Sequence, residues 1–184
     1  MLVINGLVKI TAADFIVRTA YQMAKTPLLP LFAASLGSNA TFLGLIVSVS
    51  TLTGMLLKPL FGFLSDRWGR WIWLFSGTLL FTGVPFLYDF IKTPQELLIL
   101  RLIHGLGTAI YGPVTMAWVI EQSRKQEDFS CNTAERLGWF GMARSGGYLL
   151  GPTIAASLLL FFEPSTIFTV IGLLSSTALL PILF

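Results

Sequence analysis

The sequence predicts an all-α, polytopic membrane protein of six transmembrane helices, expected as two inverted three-helix repeats. Three observations carry that prediction. Hydrophobic residues make up 54% of the chain and charged residues only 11%, against roughly a quarter charged in soluble domains. The apolar residues fall into six runs of about twenty residues, and ~20 apolar residues is what a helix needs to cross the ~30 Å hydrocarbon layer. The links between the runs carry Lys9, Arg67, Arg70, Arg124, Lys125 and Arg136 on one side and only Lys92 on the other. The positive-inside bias then predicts a multi-pass cell-membrane protein with a cytoplasmic amino terminus.

The same composition excludes other classes. A net charge of +3 is spread over membrane-flanking links, so no nucleic-acid partner is expected. The single Cys131 has no disulfide mate and no ligand neighbours, and neither a metal nor a cofactor is expected. Met1 to Thr11 lacks a charged head, apolar core and cleavage site, so no cleavable signal is expected. No span holds paired carboxylates, a His-rich cluster or a Ser–His pair in suitable context, which argues against an intramembrane enzyme.

The spans are expected near residues 11–34, 42–63, 71–91, 96–120, 137–161 and 165–184. No link is long enough for a soluble domain, so residues 1–184 are expected as one transmembrane domain. Proline recurs late in each run, at Pro27 and Pro30, Pro59, Pro85, Pro113, Pro152 and Pro181. Three spans per unit is odd, so a second unit of three would enter from the opposite side and the repeat would be inverted.

In the first span, Asp14, Arg18, Tyr21, Gln22 and Lys25 fall within an arc of roughly 100° at ~100° per residue. Mid-membrane charges cost at least ~2.5 kcal/mol each and turn toward protein or a watery cavity. These five are therefore candidates for a substrate or proton pathway. Asp14 and Arg18 also have the i,i+4 spacing of a helix ion pair. Asn39-Ala40-Thr41 matches a glycosylation sequon but adjoins the next span and is taken as fortuitous. The second span presents a ridge of Gly44, Ser48, Thr51, Met55, Lys58 and Gly62 at helical spacing. Gly62 then opens a charged reversal running to Arg70, with a glycine near each end expected to permit a sharp turn.

That reversal, Gly62-Phe63-Leu64-Ser65-Asp66-Arg67-Trp68-Gly69-Arg70, resembles the G-x-L-x-D-R-x-G-R signature joining the second and third helices of major facilitator superfamily transporters. It departs at Trp71, where a second basic residue is usual. The resemblance implies a conformational latch of Gly62, Asp66, Arg67, Gly69 and Arg70, in which Glu121 pairs with Arg70. It also implies that the second-span ridge meets the other six-helix half of the family's twelve-helix plan.

In the fourth span, Arg101, His104, Thr108, Tyr111 and Thr115 occupy an arc of roughly 80° at the same helical period and extend the candidate pathway. Arg101-Leu102-Ile103-His104-Gly105-Leu106-Gly107 resembles the family's R-x-x-x-G-x-G motif, whose arginine is implied in proton coupling. His104 is the one side chain here whose ordinary titration lies near neutrality. Tyr21, Tyr111 and Trp118 are candidates to stack on an aromatic or cationic solute.

The fifth span carries Gly138, Gly147, Gly151 and Pro152 in an arrangement similar to the G-x8-G-x3-G-P-x2-G-G pattern of proton-coupled antiporters. Ala155 and Ala156 replace the last two glycines. Physically, Ala143, Gly147, Gly151 and Ala155 form a small-residue ridge suited to close helix packing. Arg144 in the same span needs a partner, and Asp14 is the candidate.

The resemblance covers nearly the whole chain but one half of the family's plan, and the apolar end at Pro181–Phe184 leads us to expect a truncated chain or an isolated half. It implies a secondary transporter moving a small organic solute by alternating access, by proton antiport of the drug or metabolite efflux type. The proton gradient is then the energy source. Expected partners are the lipid bilayer, a small-molecule substrate, and a second six-helix half, either a missing carboxy-terminal half or a second copy. The alternatives are a sugar or metabolite symporter or uniporter of the same superfamily, and a non-transporting receptor or assembly module.

Overall fold

The computed structural model describes residues 2–124 and 133–183; Lys125 and Cys131 lie outside them. Among the described residues the regular structure is entirely helical. α1 (Leu2–Met23) runs through a π-helical turn, Ala24–Leu28, into α2 (Leu29–Ser35). The wider turn has a sequence cause. Pro27 lies inside it and Pro30 lies in the first turn of α2, and neither has an N–H for the ordinary ladder. The Leu29 N–H bonds instead to the Ala24 carbonyl, five residues back.

Gly37, at φ +81°, turns the chain, and Asn39 caps α3 (Ala40–Trp68) by accepting the Phe42 N–H at 2.8 Å. Asn39→Ala should therefore lower stability by about 1 kcal/mol and Asn39→Ser should retain most of it, read as thermal midpoints in detergent.

At ~1.5 Å per residue, a helix as long as α3 spans about 43 Å, more than the ~30 Å hydrocarbon layer. That excess leaves room for its last turns, with the exposed Asp66 and Arg67, outside the layer. The signature run is thus helix for most of its length and not the loop its charge suggested. The reversal is confined to Gly69, whose φ of +91° strains any residue with a Cβ. Gly62 sits inside α3, with Pro113 Cβ 4.0 Å from where a side chain would start. Polar residues in water can extend a helix as well as end it, which is why charge alone misplaced the turn.

α4 (Arg70–Leu87) follows at once and closes in a 3-10 turn, Tyr88–Phe90. α5 (Pro94–Arg124) starts at a reciprocal cap: Glu96 accepts the Lys92 and Thr93 N–H groups at 2.8 and 3.2 Å, and Thr93 Oγ1 accepts the Glu96 N–H at 3.3 Å. α6 (Thr133–Leu158) and α7 (Pro164–Thr177) complete the long helices. The expected last span is two pieces, because α8 (Leu179–Leu183) is set off at Ala178. Pro181 has no N–H for the Thr177 carbonyl.

Among the described residues, four stretches, Ala40–Trp68, Arg70–Phe90, Pro94–Arg124 and Pro164–Leu183, are long and apolar enough to cross a membrane. α1 and α6 are outside that set: α1 carries Lys9, Asp14 and Arg18, and α6 carries Arg144 among small and polar residues. These two helices lie along each other, α3 lies along α5, and α4 packs on both α5 and α7. Glycines allow the two closest pairings. A Cβ at Gly105 would stand 2.8 Å from Thr53 Cβ and 3.0 Å from the Ser50 carbonyl, and one at Gly151 would stand 2.7 Å from the Thr19 carbonyl.

Two apolar cores bracket the middle of the bundle. One gathers Leu28, Leu29, Ile46, Tyr88 and Phe168, with the Tyr88 and Phe168 rings stacked 3.9 Å apart. The other gathers Val17, Tyr21, Phe81, Tyr111 and Val114.

Candidate functional site

An open cavity of about 380 Å³ lies between α1, α3, α5 and α6. Arg18, Tyr21 and Lys25 line it from the first rod, and Thr51, Gly54 and Lys58 from α3. Thr108, Gly112 and Pro113 of α5 and Arg144 and Tyr148 of α6 complete it. Lys25 sits in the π-helical turn, donates to Thr51 Oγ1 at 3.2 Å and lies 5.7 Å from the Tyr21 ring centre. The arginine of α1 and the lysine of α3 converge over Gly112. A methyl group there would stand 3.7 Å from Lys58 Cε and 3.9 Å from Arg18 Nη2.

Behind this lining lies a buried ionic layer. Asp14, 1% exposed, accepts two hydrogen bonds from Arg144, Nε to Oδ2 at 2.8 Å and Nη2 to Oδ1 at 2.9 Å. This is the paired fork geometry that makes an arginine–carboxylate contact strong. Arg144 Nη2 also donates to Thr115 Oγ1 at 2.9 Å, and the guanidinium lies 4.6 Å from the Phe140 ring centre. Arg18 Nε approaches Asp14 Oδ1 at 3.5 Å, one turn away on α1. One carboxylate therefore serves two guanidiniums, and α1 and α6 are joined by the charges that make each of them less apolar than its neighbours.

The other pathway candidates lie elsewhere. Tyr111 and Thr115 are fully buried behind the cavity, and Arg18 lies 5.7 Å from the Tyr111 ring centre. Gln22 packs in the α1–α6 seam, its Cβ 2.7 Å from where a Gly151 side chain would begin, and does not line the cavity. Arg101 is fully buried and donates to Ser50 Oγ, with Nε and Nη1 unpartnered among the described residues. His104 is 2% exposed between the rings of Tyr21 and Phe81, at 5.2 and 5.4 Å. Of the two polar stripes, Arg18, Tyr21, Lys25 and Thr108 reach the cavity. Trp118 lies at a different site, beside Asp66, Arg70 and Glu121.

At that second site Arg70 joins three elements. It lies 3.1 Å from Asp66 through Nη2 and 2.9 Å from Glu121 through Nη1, and Nη1 also donates to the Ala117 carbonyl. The end of α3 is thereby tied across Gly69 to the end of α5. Arg67 is exposed and Gly69 provides the positive-φ turn. In α6, Gly147 and Gly151 face α1, whereas a Cβ at Gly138 would meet nothing within 4 Å; Pro152 is half-buried.

Sequence reasoning missed Thr51, Gly54, Lys58, Gly112, Pro113, Arg144 and Tyr148 as cavity residues. By period, Thr51 and Lys58 belong to the second-span ridge that the resemblance assigns to the contact with the other half. The available signal was Lys58 itself, a charge inside an apolar run, which belongs at a cavity by the argument applied to Arg18.

Multidrug resistance protein 1 of Bacillus subtilis (strain 168) is 28% identical over 132 residues, 72% of this chain and 33% of that protein. Quinolone resistance protein NorA of Staphylococcus aureus (strain MRSA252) is 26% identical over 128 residues, 70% of this chain and 32% of that protein. The matched part thus spans about a third of the length of these relatives. Residues 11–184, which include both helix pairs and both charged sites, match the Major Facilitator Superfamily, and the chain belongs to that family.

Proposed function

We propose that this chain is the amino-terminal six-helix half of a secondary transporter that moves a small organic solute by alternating access. The observation that carries the reading is the open cavity flanked by α1, α3, α5 and α6 and lined with charged and aromatic side chains, in a superfamily of membrane transporters rather than enzymes. All six helical rods cross the membrane, α1 and α6 included, because Asp14, Arg18 and Arg144 pair with one another inside the bundle. They form one domain of two inverted three-helix units, with the amino terminus cytoplasmic by the bias of its basic links. The second wall of the cavity comes from another six-helix half, a carboxy-terminal one or a second copy.

Two relatives bear the names multidrug resistance and quinolone resistance. With the glycine-rich pattern of α6, they favour efflux of an amphipathic solute by proton antiport. Arg70, Asp66 and Glu121 are the latch, holding one of two packings of the half against its partner.

The test is uptake and efflux of a solute panel in vesicles under an imposed pH gradient, using the full reading frame and its Asp66→Asn and Arg101→Ala variants. Gradient-driven movement that both variants lose is expected. Absence of movement of any solute by folded protein would overturn the reading. Asp66 and Glu121 are 64% and 44% exposed, and exposed pairs contribute only ~0–1 kcal/mol. Asp66→Asn should therefore leave the thermal midpoint nearly unchanged while slowing transport by roughly tenfold or more, as expected for a residue acting on a conformational equilibrium.

A further inference from the structure

We infer that the cavity takes an organic anion: four cationic side chains converge on it, and the one carboxylate beside them is already occupied. The inference rests on the transport reading for what becomes of the bound solute, but not for its charge.

Arg18, Lys25, Lys58 and Arg144 all line the cavity. Among the described residues, Asp14 alone stands against these four formal positive charges, leaving an excess of three on this wall of the cavity. Asp14 is not free to receive a cation, because it is 1% exposed, both its oxygens accept from Arg144, and Arg18 approaches it at 3.5 Å. Among the described residues, no acid lies within ion-pair distance of Lys25 or Lys58. Asp66 and Glu121, farther along α3 and α5, are held by Arg70.

The faces that would hold a cationic ligand are also in use. Lys25 lies against Tyr21, and Arg18 lies 6.0 Å from the Tyr148 ring centre. Arg18 is 6% exposed, and its Nε has no hydrogen-bond partner among the described residues. Like charges gathered between low-dielectric walls repel one another and concentrate the field in the opening. A carboxylate, sulfonate or phosphate on an apolar body would relieve that repulsion, with Lys25, Lys58 and Arg18 Nη2, which reaches the cavity at Gly112, as its donors. Its apolar part would rest on Pro113 and the backbone at Gly54 and Gly112. A solute of this class resembles an ordinary amphipathic drug in shape and differs in charge sign.

Two size-matched probes separate the possibilities: naphthalene-2-sulfonate, a permanent anion, and (naphthalen-2-ylmethyl)trimethylammonium, a permanent cation. Binding to the full protein in detergent is measured by equilibrium dialysis, and movement by counterflow in vesicles. The anion should bind at least about tenfold tighter than the cation, with an affinity that falls as salt rises. Lys25→Gln and Lys58→Gln should each weaken it by roughly three- to tenfold, since each removes one attractive charge. Neither lysine makes an ion pair whose loss would disturb the fold, and an unchanged thermal midpoint checks this.

Equal or tighter binding of the cation would overturn the inference, as would anion binding indifferent to both lysine variants. Anion binding with no counterflow would leave the substrate charge standing and defeat the transport reading. Movement of other solutes without anion binding would do the reverse.

Discussion

Asp14→Ala should destabilise the folded protein in detergent by about 3–5 kcal/mol, because it strips a buried ion pair of one partner and leaves the other charge uncompensated. The geometry makes this carboxylate the costlier end to remove. Asp14 neutralises Arg144 through two hydrogen bonds and Arg18 at longer range, so its loss orphans two guanidiniums in the region where α1 meets α6. Arg144→Met should cost less, since Asp14 then keeps Arg18, and the methionine fills much of the space against Phe140. The double variant Asp14→Ala/Arg144→Met should be more stable than Asp14→Ala alone, with a coupling energy of about 0.5–3 kcal/mol, the range for contacting residues. Thermal unfolding of the four proteins in one detergent measures the cycle. Simple additivity would mean that the pair contributes nothing of its own to the joint between α1 and α6.

Gly151→Ala and Gly138→Ala should move stability in opposite directions although both glycines belong to the same pattern. At Gly151 the added methyl would stand 2.7 Å from both the Thr19 carbonyl and Gln22 Cβ and 3.1 Å from the Met23 nitrogen. Two of these three atoms are backbone and cannot swing away, so α1 and α6 must separate. Overpacking of this kind costs about 1–3 kcal/mol, and Leu in place of Ala should cost more. At Gly138 nothing lies within 4 Å, and the residue is inside α6, where alanine is favoured over glycine by ~1 kcal/mol. Thermal midpoints of the two single variants decide the matter. A stabilising Gly151→Ala would show that the helices are not held at this distance.

The cavity and the Arg70 network are built on the same helix pair. α3 supplies Thr51, Gly54 and Lys58 to one and Asp66 to the other, while α5 supplies Thr108, Gly112 and Pro113 to one and Glu121 to the other. Gly105 and Gly54 keep these two helices in close contact at the cavity end. Gly54 has no space for a methyl group, because Thr108 Oγ1 occupies it. A shift of α3 against α5 therefore changes both sites together, which is why stability and transport are best read side by side in every variant.

The sequence by itself determined the membrane class, the order of the helical rods and the presence of charges that must find partners. Those properties depend on composition and on a 3.6-residue period, both of which are local. It also pointed from Arg144 to Asp14, 130 positions away, because a charge in an apolar run has few permitted destinations. The signature residues were legible as a set, but their conformation was not: a stretch of glycine and charge is compatible with a loop or with the wet end of a long helix, and α3 takes the second course.

Tertiary structure alone decided which polar residues meet the cavity. Arg18, Gln22 and Lys25 share one face of the first rod by period, yet the crossing of α6 at Gly151 takes Gln22 into a seam, and the π-helical turn holds Lys25 where it lines the cavity. Arg101 and His104 share a face with Thr108, but α3 and α4 close over them through Ser50 and Phe81. Helical period fixes the direction in which a side chain leaves its own helix. Whether that direction ends in an opening or in a neighbour is set by where the other helices cross, and those crossings depend on pairs such as Gly105 with Ser50 and Gly151 with Thr19 that lie far apart along the chain.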